Sequence, residues 1–281
     1  MNRILSIFGT RPEAVKMAPV VRALKRAPNL ESFVCVTAQH REMLDQVLNL
    51  FDIIPDVDLD LMRPGQSLAG LTARVFTHLD PVLADLKPDW VLVQGDTTTV
   101  MAAALNAYYR QIKVGHVEAG LRSGDKWQPF PEEINRRVAS VSADLHFAPT
   151  EWSHQNLLRE NVADEKIIVT GNTVIDALQW VAQQPSPSLP IPDANRIVLV
   201  TAHRRENHGQ PIENICHALL SLAEIYRDDV QFVYPVHLNP KVQEPVYRLL
   251  DGVANISLLP PLDYLPLVHI MKRATLVLTD S

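Results

Sequence analysis

WVLVQGDTTTVMAAALNAYYRQIKVGHVEAGLRSGD, residues 90–125, is the stretch whose reading decides the fold. An apolar run, WVLVQ, stops at Gly95 and Asp96; residues 98–109 read as a helix; a second apolar run, KVGHV, stops at Glu118. Strands that are apolar almost without interruption are buried on both faces, as in a parallel sheet with helices on either side. The same alternation extends in both directions. Towards the N-terminus lie ILSIFGT, a helix over residues 13–26, SFVCVTA, and helices over 41–51 and 68–86. Towards the C-terminus, helices begin near Pro131 and Glu151 around LHFAPT, followed by KIIVTGN and a helix over 173–183. The first half is therefore expected to be a doubly wound α/β domain.

PSPSLPIPDANR then places four prolines in twelve residues, which sustains neither a helix nor a central strand. The expected partition is an N-terminal domain over 1–184, a proline-rich linker over 185–195 and a C-terminal domain over 196–281. The second domain repeats the pattern with IVLVTAHR, VQFVYPVH, NISLLPP and LVLTDS separated by helices. The last strand is followed only by Asp280 and Ser281, with no covering helix, so the second domain is expected to be truncated at its C-terminus. Two such domains are expected to face a shared crevice with their strand carboxyl ends, where ligands of open α/β sheets bind.

Composition narrows the function classes. Twenty-six basic against thirty-two acidic residues give a net charge of −6, which argues against nucleic acid as a partner. No apolar run approaches the roughly 18 residues of a membrane span, and MNRILSIFGT lacks the pattern of a signal peptide, so a cytoplasmic protein without membrane contact is expected. Cys35 and Cys216 sit in apolar stretches without metal-ligand spacing and read as buried thiols; neither a metal nor a cofactor is expected.

The candidate site residues cluster at strand ends. In GTRPEAVK, Gly9 allows a tight turn while Arg11 and Lys16 put two cations near a helix N-terminus, an array suited to a diphosphate. It lacks the glycine spacing of a Walker loop or a dinucleotide fingerprint. A surface salt bridge for Arg11 and a solvated position for Lys16 are the plain alternatives. Asp96, in QGDTTT, either serves a ligand or caps the next helix, as does Thr97. Glu118 stands among Gly115, Gly120 and Gly124, where glycine lets a ligand approach; its alternative is a salt bridge to Arg122. Glu132 and Glu133 open a helix, where the dipole alone accounts for acidic residues, and Arg136 or Arg137 could hold a carboxylate ionised. In VTAHRREN, His203, Arg204 and Arg205 gather positive charge suited to phosphate. His237 and His40 occupy similar strand-end positions and either line a site or bond the backbone.

GTRPEAVKMAP, TAQHREMLDQ, QGDTTT, GHVEAGLR, PEEINRR, TGNTVID, TAHRREN and VYPVHLNP, in this order, resemble the bacterial non-hydrolysing UDP-N-acetylglucosamine 2-epimerases along the whole chain. The resemblance implies two Rossmann-like domains in the GT-B arrangement of glycogen phosphorylase. It also implies interconversion of UDP-GlcNAc and UDP-ManNAc through elimination of UDP to 2-acetamidoglucal and its re-addition, supplying ManNAc for cell-surface polysaccharide. By the same resemblance, Asp96, Glu118 and Glu132 match the catalytic carboxylates, and Arg11, Lys16, His203, Arg204 and Ser281 match the UDP and phosphate contacts. Gln39 and His40 would line a pocket for a second, activating UDP-GlcNAc, and a homodimer is implied. Leu262 and Leu267 depart from the family, which often has a polar residue and an aromatic near the uracil there. A UDP-sugar-dependent glycosyltransferase and a non-catalytic nucleotide-sugar-binding fragment are the competing readings. Independently of family, inverting a carbon through elimination and addition needs proton transfer on two faces, hence at least two acid–base groups.

Overall fold

The computed structural model describes residues 1–37, 41–61, 63, 65–189, 191–192 and 194–280, without the side chains of residues 41, 42 and 205. Two compact units divide it, Met1–Ala177 and Leu178–Ser281. In the first, strands and helices alternate as β1 (Asn2–Phe8), α1 (Arg11–Arg26), β2 (Leu30–Val36), α2 (Arg41–Leu50), β3 (Val57–Asp58), α3 (Leu68–Leu86), β4 (Trp90–Gln94), α4 (Thr98–Tyr109) and β5 (Lys113–Val117). There follow α5 (Glu132–Ser142), β6 (Leu145–Ala148), α6 (Glu151–Arg159), β7 (Ile167–Val169) and α7 (Thr173–Ala182), which begins in this unit.

The seven strands pair in parallel in the order β3-β2-β1-β4-β5-β6-β7. The chain winds outward from β1 to β3 and then returns beside β1 with β4, so the sheet reverses direction between β1 and β4. Ligand sites of such sheets form outside the strand carboxyl ends at that reversal. β3 is absent from the sequence reading because two residues are too few to show an apolar run. Its place is set instead by the pairing of Cys35 with Val57 and of Val36 with Asp58.

Helix starts are fixed locally. Thr10, Ser67, Thr97 and Thr150 each accept a backbone N–H from the first turn of α1, α3, α4 and α6, which satisfies one otherwise unpaired donor. Beneath them, Leu5, Ile7, Val91, Val93 and Val114 join Val75, Leu79, Leu83 and Val100 in one buried cluster. Full burial of a side chain of this size stabilises by roughly 1.5–3 kcal/mol.

The second unit contains β8 (Arg196–Thr201), α8 (Gln210–Ile225), β9 (Val230–Pro235), α9 (Pro240–Leu250), β10 (Ile256–Leu259), α10 (Tyr264–Arg273) and β11 (Leu276–Thr279). Its parallel sheet runs β10-β9-β8-β11. Along β8, Val198 and Val200 enter a cluster with α8 and α9, while Ile197 and Leu199 enter another with Ile270 of α10. Successive residues thus bury opposite faces, as the unbroken apolar run requires. Leu189, Ile191 and Ala194 of the proline-rich stretch pack against the second of these clusters, as do Leu262 and Leu267.

The two cysteine side chains are buried and unbridged, as expected from sequence. Burial pushes the Cys35 thiol up to about 12, with the Asp58 charge adding to it, and burial likewise pushes Cys216 up to about 11. Among the described residues, no helix is long and apolar enough to cross a membrane.

Gly120, after β5, has φ +85°, and a Cβ there would stand 2.3 Å from the Ser153 carbonyl oxygen on α6. Its own carbonyl accepts Asn156 Nδ2 at 3.0 Å, so the turn and α6 are locked together. Gly120→Ala combines a left-handed backbone with a collision against rigid backbone. It is expected to cost about 3 kcal/mol or more in urea unfolding, and an unchanged midpoint would count against this packing.

Candidate active site

The ends of β1, β4 and β5 are adjacent across the reversal point, and a buried carboxylate joins the first two. Glu13 Oε2 accepts the N–H groups of Gly9 (3.0 Å) and Thr10 (2.7 Å), and Oε1 accepts the Thr97 hydroxyl at 2.7 Å. Burial raises the Glu13 pKa, opposed by the bonds from Thr97, Thr10 and Gly9. Gly9 is required by close approach, since a Cβ there would lie 2.0 Å from Thr37 Oγ1, itself 3.1 Å from Thr99 Oγ1. Sequence reasoning missed Glu13. The signal that could have found it is the spacing from Thr10 to Glu13, that of a capping box.

Glu118 occupies a left-handed position, φ +62°, an uncommon conformation for a residue with a side chain. Its carboxylate is held from three directions. Lys16 Nζ lies 2.8 Å from Oε1 and 2.6 Å from Oε2; Gln94 Nε2 donates to Oε2 at 2.5 Å; Asn172 Nδ2 donates to Oε1 at 3.0 Å. The alternative partner considered from sequence, Arg122, instead binds both carboxylate oxygens of Glu160 at 2.7 Å. Proximity in sequence misled there because the turn after β5 sends Arg122 towards the end of α6.

Asp96 follows Gly95 at the end of β4 and pairs with Arg136 of α5, while its backbone carbonyl accepts Asn135 Nδ2 at 3.0 Å. Burial raises the Asp96 pKa; Arg136 opposes the rise, and the charges of Glu132 and Glu118 add to it. Both other carboxylates are thus close enough to act on Asp96. Glu132 begins α5, and its Oε2 is buried without a hydrogen-bond partner. Its neighbour Glu133 accepts the Ser123 N–H at 3.1 Å and pairs both with Arg137 at 3.1 Å and, at 3.4 Å, with Arg136, the arginine that holds Asp96. Arg11 is the first residue of α1, half-buried beside Thr10. Among the described residues no three His, Cys, Asp or Glu side chains gather as a metal site.

Behind these groups lie His116 of β5 and His146 of β6, paired in register and both buried. His116 Nε2 donates to the Gly95 carbonyl at 2.7 Å, fixing the turn that presents Asp96. Burial lowers the pKa of each ring to about 4.

In the second unit, Asp280 organises the loop after β8. Its Oδ2 accepts the N–H groups of His203 (3.0 Å) and Arg204 (2.8 Å) and the Asn207 Nδ2 at 2.9 Å. Burial works to raise the Asp280 pKa, but these bonds outweigh it and hold the carboxyl below its usual range. The side chains of His203 and Arg204 stay exposed. The His203 ring stacks on His237 with centroids 5.6 Å apart and planes 6° from parallel, and His237 Nδ1 accepts the Asn239 N–H at 3.1 Å. Asp280 was not singled out from sequence, although an acid directly after the apolar run LVLT is a strand-end signal like that of Asp96. Gln39, His40 and Ser281, expected to contact ligands, lie outside the described residues.

Fold and geometry define a doubly wound α/β protein with a cluster of carboxylates beside the reversal point of its larger sheet. A family model described as UDP-N-acetylglucosamine 2-epimerase matches residues 22–281. UDP-N-acetylglucosamine 2-epimerase of Salmonella typhimurium is 57% identical over 99% of this chain and 77% of its own length. Among solved structures, UDP-GlcNAc 2-epimerase from Neisseria meningitidis bound to UDP-GlcNAc is 50% identical with a TM-score of 0.88, covering 99% of this chain and 78% of that one. The Methanocaldococcus jannaschii enzyme in complex with UDP-GlcNAc and UDP is 32% identical with a TM-score of 0.81, covering 99% and 79%. The chain belongs to the UDP-N-acetylglucosamine 2-epimerase family and is an enzyme of the isomerase class.

The two buried histidines make stability depend on pH. Their folded pKa values lie below the ordinary 6.5, so the unfolded chain takes up protons first. Their contribution is fully present above pH 6.5 and is lost as pH falls from 6.5 to about 4, on the order of 3 kcal/mol per ring. Urea unfolding at stepped pH is expected to show this loss, and in His146→Gln a loss smaller by one ring's share. Equal pH slopes for the two proteins would contradict it.

Proposed function

We propose that this chain interconverts UDP-GlcNAc and UDP-ManNAc, with Asp96, Glu118 and Glu132 as its acid–base groups. The observation that carries this reading is the convergence of three carboxylates at one strand-end site, two of them acting on the charge of the third. The names of its relatives, and the UDP-GlcNAc and UDP in the solved complexes, support the choice of substrate.

In the proposed reaction a carboxylate takes the proton from C2 of the sugar while the bond between C1 and the diphosphate oxygen breaks. UDP leaves with the bonding pair, and a C1–C2 double bond gives 2-acetamidoglucal. UDP then re-adds at C1, and a second carboxyl delivers a proton to the opposite face of C2. One acid–base group cannot reach both faces, which is why a cluster of three suits this chemistry and a lone base does not. Arg11, Lys16, His203, Arg204 and Ser281 are proposed to bind the UDP portion. Cations there act most strongly on the leaving diphosphate, whose charge grows in the transition state. A homodimer, a second UDP-GlcNAc on Gln39 and His40, and supply of ManNAc to surface polysaccharide belong to the same proposal and rest on the sequence resemblance.

The test is incubation with UDP-GlcNAc in heavy water. Deuterium is expected at C2 together with UDP-ManNAc. Asp96→Asn and Glu118→Gln are each expected to lower C2 exchange by about 100-fold or more while calorimetry still detects UDP binding. Release of free ManNAc, transfer of the sugar to an added acceptor, or full exchange in both variants would refute the reading.

A further inference from the structure

TGNTVID, residues 170–176, is a motif that the proposed chemistry leaves without a role. Its Asn172 stands between β7 and α7, with its carboxamide engaged at both ends. Oδ1 accepts the backbone N–H of Val174 at 3.1 Å, and Nδ2 donates to Glu118 Oε1 at 3.0 Å. The first contact decides the second. With its oxygen committed to an N–H, the amide has only its nitrogen to present to the carboxylate, so a flipped carboxamide would break both bonds.

The other contacts of Glu118 do not do the same work. Lys16 reaches both oxygens, but an ammonium on a flexible stem acts as a point charge and imposes little direction. Gln94 is directional but holds Oε2 alone. With only these two, the carboxylate could pivot about its Oε2 contact while keeping Lys16. Asn172 supplies the second directional bond, on the other oxygen, and so fixes the plane of the group. Glu118 itself sits on a left-handed backbone that any compensating shift would disturb.

We propose that Asn172 is a positioning residue: it orients the Glu118 carboxylate for proton transfer at the substrate carbon. This rests on the reading of Glu118 as an acid–base group. It also separates Asn172 from a mere turn former, since the turn needs only the Oδ1 acceptor and the positioning needs the Nδ2 donor. Asn172→Asp keeps the first and loses the second. Asn172→Ser offers a shorter acceptor for the same turn and no group that reaches Glu118.

Steady-state kinetics of C2 exchange on the whole chain, beside Glu118→Gln and with thermal melts, test this. In Asn172→Asp and Asn172→Ser, kcat is expected to fall by about tenfold or more, with KM within about twofold and the melting temperature close to that of the parent. Parental kcat in either folded variant overturns the proposal, as does a rise in KM without loss of kcat. Loss of the folded state in both variants would also overturn it, by placing the residue's work in the turn. Parental exchange in Glu118→Gln would instead sink the reading of Glu118, so the two failures are distinguishable.

Discussion

A buried carboxylate bonded to two strand ends at once is the constraint on which the first unit's site depends. Glu13 accepts the two N–H groups of the turn after β1 and the hydroxyl that caps the helix after β4. Each of these groups would otherwise be an unsatisfied donor at a helix start, and an unpaired carboxylate in the same place would carry its full desolvation penalty. Joined, they satisfy one another. The same bonds tie the start of α1, the helix that carries Arg11 and Lys16, to the turn after β4 that carries Asp96.

From that frame the charges fall into mutually compensating pairs. Lys16 sits on Glu118 and Arg136 between Asp96 and Glu133, while Arg137 joins Glu133 and Arg122 is drawn off to Glu160. Removing one member of such a part-buried pair leaves the other uncompensated, so the arrangement is sensitive to single substitutions. The proposed reaction asks Lys16 to serve a diphosphate as well as Glu118. The geometry is compatible with both, because an ammonium has three donors and no fixed plane.

Much of this was legible in the sequence, for identifiable reasons. Buried strands of a parallel sheet cannot alternate in polarity, so WVLVQ and IVLV were readable as its strands, and Asp96 and His203 follow them as that reading places them. What stayed hidden depended on partners far along the chain. β3 is two residues long and exists only through its register with β2. Glu118 was identified but its partner was not: Lys16 is 102 positions away, and the nearer Arg122 is carried off by the turn at Gly120. Asn172 is 54 positions from Glu118, with a side chain whose commonest use is a turn, and one of its two hydrogen bonds is indeed that of a turn. Asp280 holds a loop 76 and 77 positions before it.

The three carboxylates are chemically alike in the sequence and unlike in the structure, and the difference comes from what surrounds each. Glu118 has both oxygens filled by donors, with a cation among them. Asp96 is half-buried and flanked by two acids, with one arginine to oppose them, and its proton is held more firmly than in water. Glu132 keeps a buried oxygen that accepts nothing. In the proposed reaction one carboxyl gives a proton while another takes one, and unlike surroundings set the proton affinities of such groups apart. Here that asymmetry is built by fold position: a left-handed residue after β5, a turn after β4 pinned by a buried histidine, and the first turn of a helix.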